Sequence, residues 1–405
     1  MTKVGTGESG EKKAYTAGVE AARSALISGG MTSCDLILLF ATVGYDQQEL
    51  LRGVRSVTGH SALAGCTGEG VITQTGPAGG MAYKLTGPER GEERVGVMAF
   101  SSDVIRFRTA AAGDLRRDSR AAGHLIGEQI RAENDGEPLL LLAFPDGYSV
   151  NATGFFNGLE TALGEPIPCA GGMSGHNQPQ GSTTYQYFND RVLRDSVVCV
   201  LISGRSDLNL GVSHGCLPVG MDKTITKSHD NIIERIDDKS AWDFFRQYLE
   251  DGDKDLTPET ATFISLGQKL PDDLATEYDR YIIRAPYRKN EDGSMVFGTE
   301  MPAGARVRVM RRDEEKISQG SAALARRMMR ERGERKPLAV LQFDCAARGR
   351  MFFGDRLKEK EVDVAQDVFG KDVPWLGVFC FGELAPIRGK NHYHNQTVVY
   401  CALYE

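Results

Sequence analysis

Three short apolar runs constrain this 405-residue chain most: "LILLF" at 36–40, "LLLLAF" at 139–144 and "LAVLQF" at 338–343. A run of five or six apolar residues without polar alternation fits a strand buried on both faces. Each run is followed by a stretch at helical period and then by a second strand-like run ending in glycine. After the first come "QQELLRGVRSV" and "SALAGCTGEG"; after the second, "NATGFFNGLETAL" and "IPCAGGMSGHN". After the third come a long amphipathic stretch to Phe369 and "PWLGVFCFGE". Strand–helix–strand is the unit that makes parallel neighbours in a sheet. The chain therefore reads as α/β (mixed α+β): repeated strand–helix–strand units in largely parallel sheets, with added antiparallel strands and helices covering the faces.

The second-strand ends can be overlaid. Gly65-Cys66-Thr67-Gly68-Glu69 falls on Gly172-Met173-Ser174-Gly175-His176 and on Phe379-Cys380-Phe381-Gly382-Glu383. Cys-x-Gly-Glu thus closes a strand twice. Between the units, "RVGVMAF", "DVIRFRTAAAG", "STTYQYF", "SVVCVLISG" and "LNLGVSHG" are β-branched or alternating and predict antiparallel strands. "SAWDFFRQYLED" (240–251) predicts a helix with Ser240 as N-cap, and 314–332 a second, longer helix. Pro258, Pro271 and Pro302 punctuate the region between. The polar, Gly-rich start reads as a disordered lead-in over 1–12. Two domains follow, 13–230 and 231–405.

A net charge of −7 argues against a nucleic-acid binder. No run of eighteen apolar residues marks a membrane span, and the N-terminus has no apolar signal core. Eight cysteines, scattered and without Cys-x-x-Cys, read as reduced thiols of a cytoplasmic protein. "GCTGEG" is not a dinucleotide fingerprint, whose glycines are spaced otherwise. Phosphate-loop and Gly-x-Ser-x-Gly patterns are absent. His392-Tyr-His394 has no second pair to complete a metal site.

In sheets of this type ligands sit beyond the carboxyl ends of parallel strands. The residues falling there are Gly65, Cys66, Gly68, Glu69, Asp146, Gly172, Ser174, Cys345, Arg348, Gly382 and Glu383. Glycines let backbone N–H groups approach a ligand. Glu69 and Glu383 can accept from an amino group, and Arg348 can grip a carboxylate. Together they suit a zwitterion such as an amino acid. Each also has a plain structural reading: capping for Glu69, a small buried hydrophobe for Cys66, Cys345 and Cys380, a turn for His176 and His214.

The C-terminal third carries a resemblance. "YIIRAPYRKNEDGSMVFGTEMPAGARVRVMRRD", "FDCAARGRMFFG", "WLGVFCFGELAPI" and "HNQTVVYCAL" occur in the order of the C-terminal domain of the FIST sensory family. "LILLFATVGYD", "ALAGCTGEGVI", "LLLLAFPDGYSVN" and "CAGGMSG" resemble its N-terminal domain. The resemblance runs over residues 34 to 403 and adds Asn395 and Thr397 to the pattern. It implies a cytoplasmic sensor of a small ligand, with amino acids the proposed class. It also implies a separate signalling partner, such as a histidine kinase or a cyclic-dinucleotide enzyme. Similar proteins that bind haem and sense nitric oxide offer an alternative, with His214, His176 and His394 as candidate axial ligands. A third alternative is an enzyme using Cys345 as nucleophile, its thiolate favoured by Arg348.

Overall fold

The computed structural model describes residues 1–84, 87–89, 91–133, 136–178, 183–249, 264–275 and 278–405. Each of the three apolar runs is the inner strand of a mixed six-stranded sheet. Leu36–Ala41 pairs in parallel with Ala62–Thr67, Pro138–Pro145 with Cys169–Gly172, and Ala339–Cys345 with Trp375–Cys380. The parallel component is confined to this one pair per sheet. On its other side each inner strand meets an antiparallel strand: Val95–Ser102, Val197–Gly204 or Thr397–Tyr404. Beyond these lie the outer strands Thr2–Ser9, Ile105–Ala112 and Asp207–His214.

The fourth ingredient is a hairpin that each unit gives away. The hairpin Gly70–Thr73/Gly76–Ala78 follows the first unit's second strand but pairs with Trp375–Cys380 of the third. Gln186–Phe188/Arg191–Leu193 leaves the second unit and pairs with Ala62–Thr67 of the first. Glu383–Ile387/Lys390–His394 leaves the third and pairs with Cys169–Gly172 of the second. The exchange closes a ring of three sheets.

Alternation along the inner strands explains their apolar composition. Leu36, Leu38, Phe40, Leu140, Leu142, Phe144, Leu341 and Phe343 point into one shared core. Phe40, Phe144 and Phe343 meet at its centre, with ring centroids 5.4, 6.2 and 6.0 Å apart. The opposite faces lie under helix pairs: Ala14–Ser28 with Gln47–Thr58, Leu115–Glu133 with Ala152–Leu163, and Glu314–Glu331 with Asp363–Phe369. Asp46, Asn151 and Asp313 start their helices by accepting from N–H groups of the first turn. The predicted Ser240 cap is also formed, with Ser240 accepting from Asp243 N, although the described helix is only Ala241–Arg246. Residues 250 and 251 of that predicted helix, and Pro258, lie outside the described residues.

The start of the chain corrects the reading as a disordered lead-in. Thr2–Ser9 pairs along its whole length with Val95–Ser102. Its glycines serve close packing: a Cβ on Gly5 would stand 2.1 Å from Ala25 O, and on Gly7 2.2 Å from Ala21 O. Inserted between Asp207–His214 and helix Glu314–Glu331 is an antiparallel eight-stranded sheet that includes Cys216–His229, Ile232–Ile236 and Arg306–Arg312. The division expected at residue 230 falls on the turn between two of its paired strands. Among the described residues no helix is long and apolar enough to cross a membrane.

Candidate functional site

The three second-strand ends meet, and their main chains are tied in a cycle. Glu69 N donates to Phe379 O (2.8 Å), Gly175 N to Thr67 O (2.9 Å) and Phe381 N to Met173 O (3.1 Å). Glu69, Gly175 and Phe381 are therefore equivalent positions. The overlay made on the Cys-x-Gly-Glu motifs is one residue out of register at the second strand end and two at the third. The ladders give the reason: Gly65, Gly171 and Gly377 lie opposite Leu39, Ala143 and Gln342. A Cβ at any of the three would collide with that neighbour's carbonyl oxygen, at 1.8, 2.0 and 2.4 Å. These glycines, not Gly68 and Gly382, mark the repeat.

The two Cys-x-Gly-Glu carboxylates consequently do different things. Glu69 accepts from Met81 N at 2.7 Å, and its second oxygen is buried without a partner among the described residues. Burial pushes its carboxyl up to about 7, against the pull of Arg350. Glu383 accepts from Thr397 N (3.2 Å) and Thr397 Oγ1 (2.8 Å), with Cys380 Sγ at 3.4 Å. Burial pushes it up to about 8 despite those bonds.

The other strand-end residues are buried among one another. Thr184 links Ser174 Oγ (2.8 Å) to Asp146 Oδ2 (2.7 Å), and Gln186 donates to Ser174 at 2.8 Å. Cys66 and Cys380 belong to the shared core, and Gly172 packs against the Cys380 thiol. Gly68 packs on Val378, and Gly382 on the ring of Tyr393. Asn395 accepts from Ala285 N at 2.9 Å and donates to Tyr393 Oη at 2.7 Å. Arg348 is fully buried, with Nε 2.6 Å from Glu361 Oε1 and Nη2 2.5 Å from Ser321 Oγ. Its hydrogen bonds go to the chain itself.

The cysteine and haem alternatives meet physical obstacles. Burial, then the neighbouring Glu383, pushes the Cys345 thiol well above its ordinary range, so it is not a ready nucleophile. A haem iron needs a ring nitrogen with a free lone pair. His176 Nε2 lies 2.7 Å from Tyr148 Oη, and its Nδ1 accepts from Gln178 N. His214 Nδ1 accepts from Cys216 N at 3.1 Å, which leaves its proton on Nε2, facing Asp279. His394 Nε2 lies 3.1 Å from Ala385 O, and the whole ring is sealed in the protein. These three do not fit a haem, and among the described residues no group of His, Cys, Asp and Glu is arranged to hold a metal ion.

One of these histidines does reach a cleft. A depression of about 550 Å³ lies between the end of strand Asp207–His214, the start of helix Glu314–Glu331 and Tyr278–Asp279. Asp279 Oδ2 lies 3.2 Å from both His214 Nε2 and Lys316 Nζ. Lys316 also donates to Cys216 O at 2.9 Å. Burial works to raise the Asp279 carboxyl, but the His214 contact and Lys316 outweigh it and hold it below the usual carboxylate range. Burial holds His214 neutral. Tyr278 stands with its ring 5.6 Å from His214 and 5.5 Å from His394, its hydroxyl buried without a partner among the described residues. Sequence reading found His214 but missed Tyr278, Asp279 and Lys316. His214, the adjacent pair Tyr278–Asp279 and Lys316 are separated by long stretches of chain, and only the inserted sheet brings them together.

Mixed sheets with helix-covered faces and a cleft of small-molecule size define an α/β protein with room for a small ligand. The chain belongs to the FIST family, whose domains are small-ligand sensory domains: the FIST N domain matches residues 35–239 and the FIST C domain residues 241–386. It is 25% identical over 413 residues to the uncharacterized protein Rv0628c of Mycobacterium tuberculosis, covering 98% of each chain. It is 24% identical over 404 residues to the uncharacterized protein Mb0898c of Mycobacterium bovis, covering 98% of this chain and 97% of that one. Among solved structures a chorismatase aligns over 100% of this chain and 98% of its own, with TM-score 0.38 and 10% identity.

Proposed function

We propose that this protein senses an amino-acid-like metabolite in the cleft above His214, Asp279 and Lys316, and reports its occupancy to a separate signalling partner in the cytoplasm. The observation that carries the reading is the Lys316–Asp279 pair in that cleft beside Tyr278, whose buried hydroxyl has no partner among the described residues. Buried polar atoms are nearly always bonded, so an unmatched one at a cleft suits a ligand group. Asp279, Asp313 and Glu315 offer acceptors to an ammonium group, and Lys316 a cation to a carboxylate.

A ligand that binds the folded state raises its stability, by about 2.7 kcal/mol at a hundredfold excess over Kd. Melting temperatures of wild type, Lys316→Met and Asp279→Asn are measured against a panel of free amino acids. At least one should raise the wild-type value and lose that effect in both variants. No rise with any of them, or a rise that both variants keep, would refute the reading.

A further inference from the structure

Each outer strand of the three units leaves one edge outside its sheet. Such an edge offers N–H and C=O groups to another chain unless something covers them. In the first unit Thr6 N donates to Ser28 Oγ (2.9 Å), and the same hydroxyl donates to Thr6 O (2.8 Å). In the second, Ala111 N donates to Gln129 Oε1 (3.3 Å) and Gln129 Nε2 to Ala111 O (3.0 Å). The ladders place Thr6 level with Thr109 and Leu210, and Glu8 level with Ala111 and Val212. In the third unit the cap sits at the start of the strand instead, where Arg332 Nη2 donates to Leu208 O at 2.7 Å. Leu208 therefore turns its carbonyl to the open edge, and the two-residue period turns Leu210 and Val212 the same way. Among the described residues neither has a hydrogen-bond partner on that side.

The seams between sheets repeat the difference. Glu8 accepts from Thr73 (3.0 Å) and Thr75 (2.9 Å) across the first, and Thr109 donates to Asn189 (3.4 Å) across the second. The third, between Asp207–His214 and Glu383–Ile387, is a groove of about 330 Å³ running beside Leu210–Val212. Two arginines, Arg327 and Arg388, and one acid, Glu331, line it, with Arg327 3.7 Å from Glu331 and Arg388 3.2 Å from Asp273.

We propose that this groove receives an extended segment of a partner protein, laid along Leu210–Val212 as an added strand with an acidic side chain toward Arg327 and Arg388. Main-chain groups repeating every second residue are matched by another strand, and an acidic side chain on it can take the place of Glu331 or Asp273 beside these two partly exposed arginines. Tyr278 borders both this groove and the cleft, so a ligand in one and a segment in the other touch the same side chain. The groove's peptide binding does not depend on the amino-acid reading and is measured without any added metabolite.

The test pans the full chain against displayed random octapeptides. Enriched peptides are then titrated by fluorescence anisotropy on wild type, Leu210→Pro and Val212→Pro. Proline removes the N–H on the open edge, where an edge strand tolerates it. Enriched peptides should carry Asp or Glu among β-prone residues and bind each variant at least tenfold more weakly. Amide exchange keeps the test sound should a variant fold poorly: bound peptide should slow Leu210 and Val212 in the wild type at least tenfold. No enrichment, or peptides that bind without protecting these two amides, would overturn the proposal.

Discussion

The third unit differs from the first two on the side of its inner strand that faces the helices. Leu39 and Ala41 in the first, and Ala143 and Pro145 in the second, correspond to Gln342 and Asp344 in the third. Gln342 accepts from Trp375 Nε1 (3.0 Å) and donates to Asp344 (2.8 Å). Arg348 lies 3.7 Å from Asp344 and bonds Glu361, which a π-helical turn at Lys358–Val362 carries inward. Burial and the neighbouring Glu361 push Asp344 well above the carboxylate range, and burial likewise raises Glu361. The two acids compete for one guanidinium. An apolar lining suffices to fold a unit. A polar one must be satisfied group by group, and it sits in the unit that also carries the cleft and the open groove.

The largest test of this contrast is Arg348→Met, which leaves Asp344 and Glu361 buried without a countercharge. Urea unfolding should show a loss of about 3–5 kcal/mol; a loss below about 1 kcal/mol would mean that the polar lining of the third unit is no costlier than an apolar one. Where the units are alike, they should respond alike. Phe40→Leu, Phe144→Leu and Phe343→Leu should each cost about 1–1.5 kcal/mol, and clearly unequal losses would deny a common centre. Glu69 tests the first unit by pH. Its folded-state pKa, raised from 4.5 to about 7, favours the neutral form, so the stability it adds is complete below 4.5 and fades as pH rises through 7. Glu69→Gln should therefore flatten that part of the stability–pH curve, and superimposable curves for the two proteins would count against it. The smallest effect concerns the thiols. Cys34 alone is half-buried while the other seven are buried, so it should react fastest of the eight with a disulfide reagent in the native protein, even though burial raises its thiol too. Fast reaction at Cys345 would restore the nucleophile alternative.

The sequence made the repeat legible because burial on both faces leaves an unmistakable apolar run, as in Leu36–Ala41 and Pro138–Pro145. It misled wherever glycine served packing instead of turning. Gly5 and Gly7 made a strand look like a tail, and Gly68 and Gly382 drew the overlay away from Gly65, Gly171 and Gly377. The candidate site was legible only in part. His214 stood out beside a glycine, whereas Asp279 and Lys316 carry no local signal, because their partners are set by tertiary contacts. Arg348 was singled out for a ligand's carboxylate, yet the carboxylate beside it comes from Glu361, on a turn whose π geometry no helical period announces.

The passing of hairpins from unit to unit bears on how the chain is made. Thr73, near the beginning, must wait for Leu376, about 300 residues further along. During synthesis the first unit emerges with a hairpin that has no sheet to join and with the slot for Gln186–Phe188 unfilled. The ring can close only when the last strands have left the ribosome. A segment ended at the boundary between the two family domains would present the raw edges of an open ring to its neighbours.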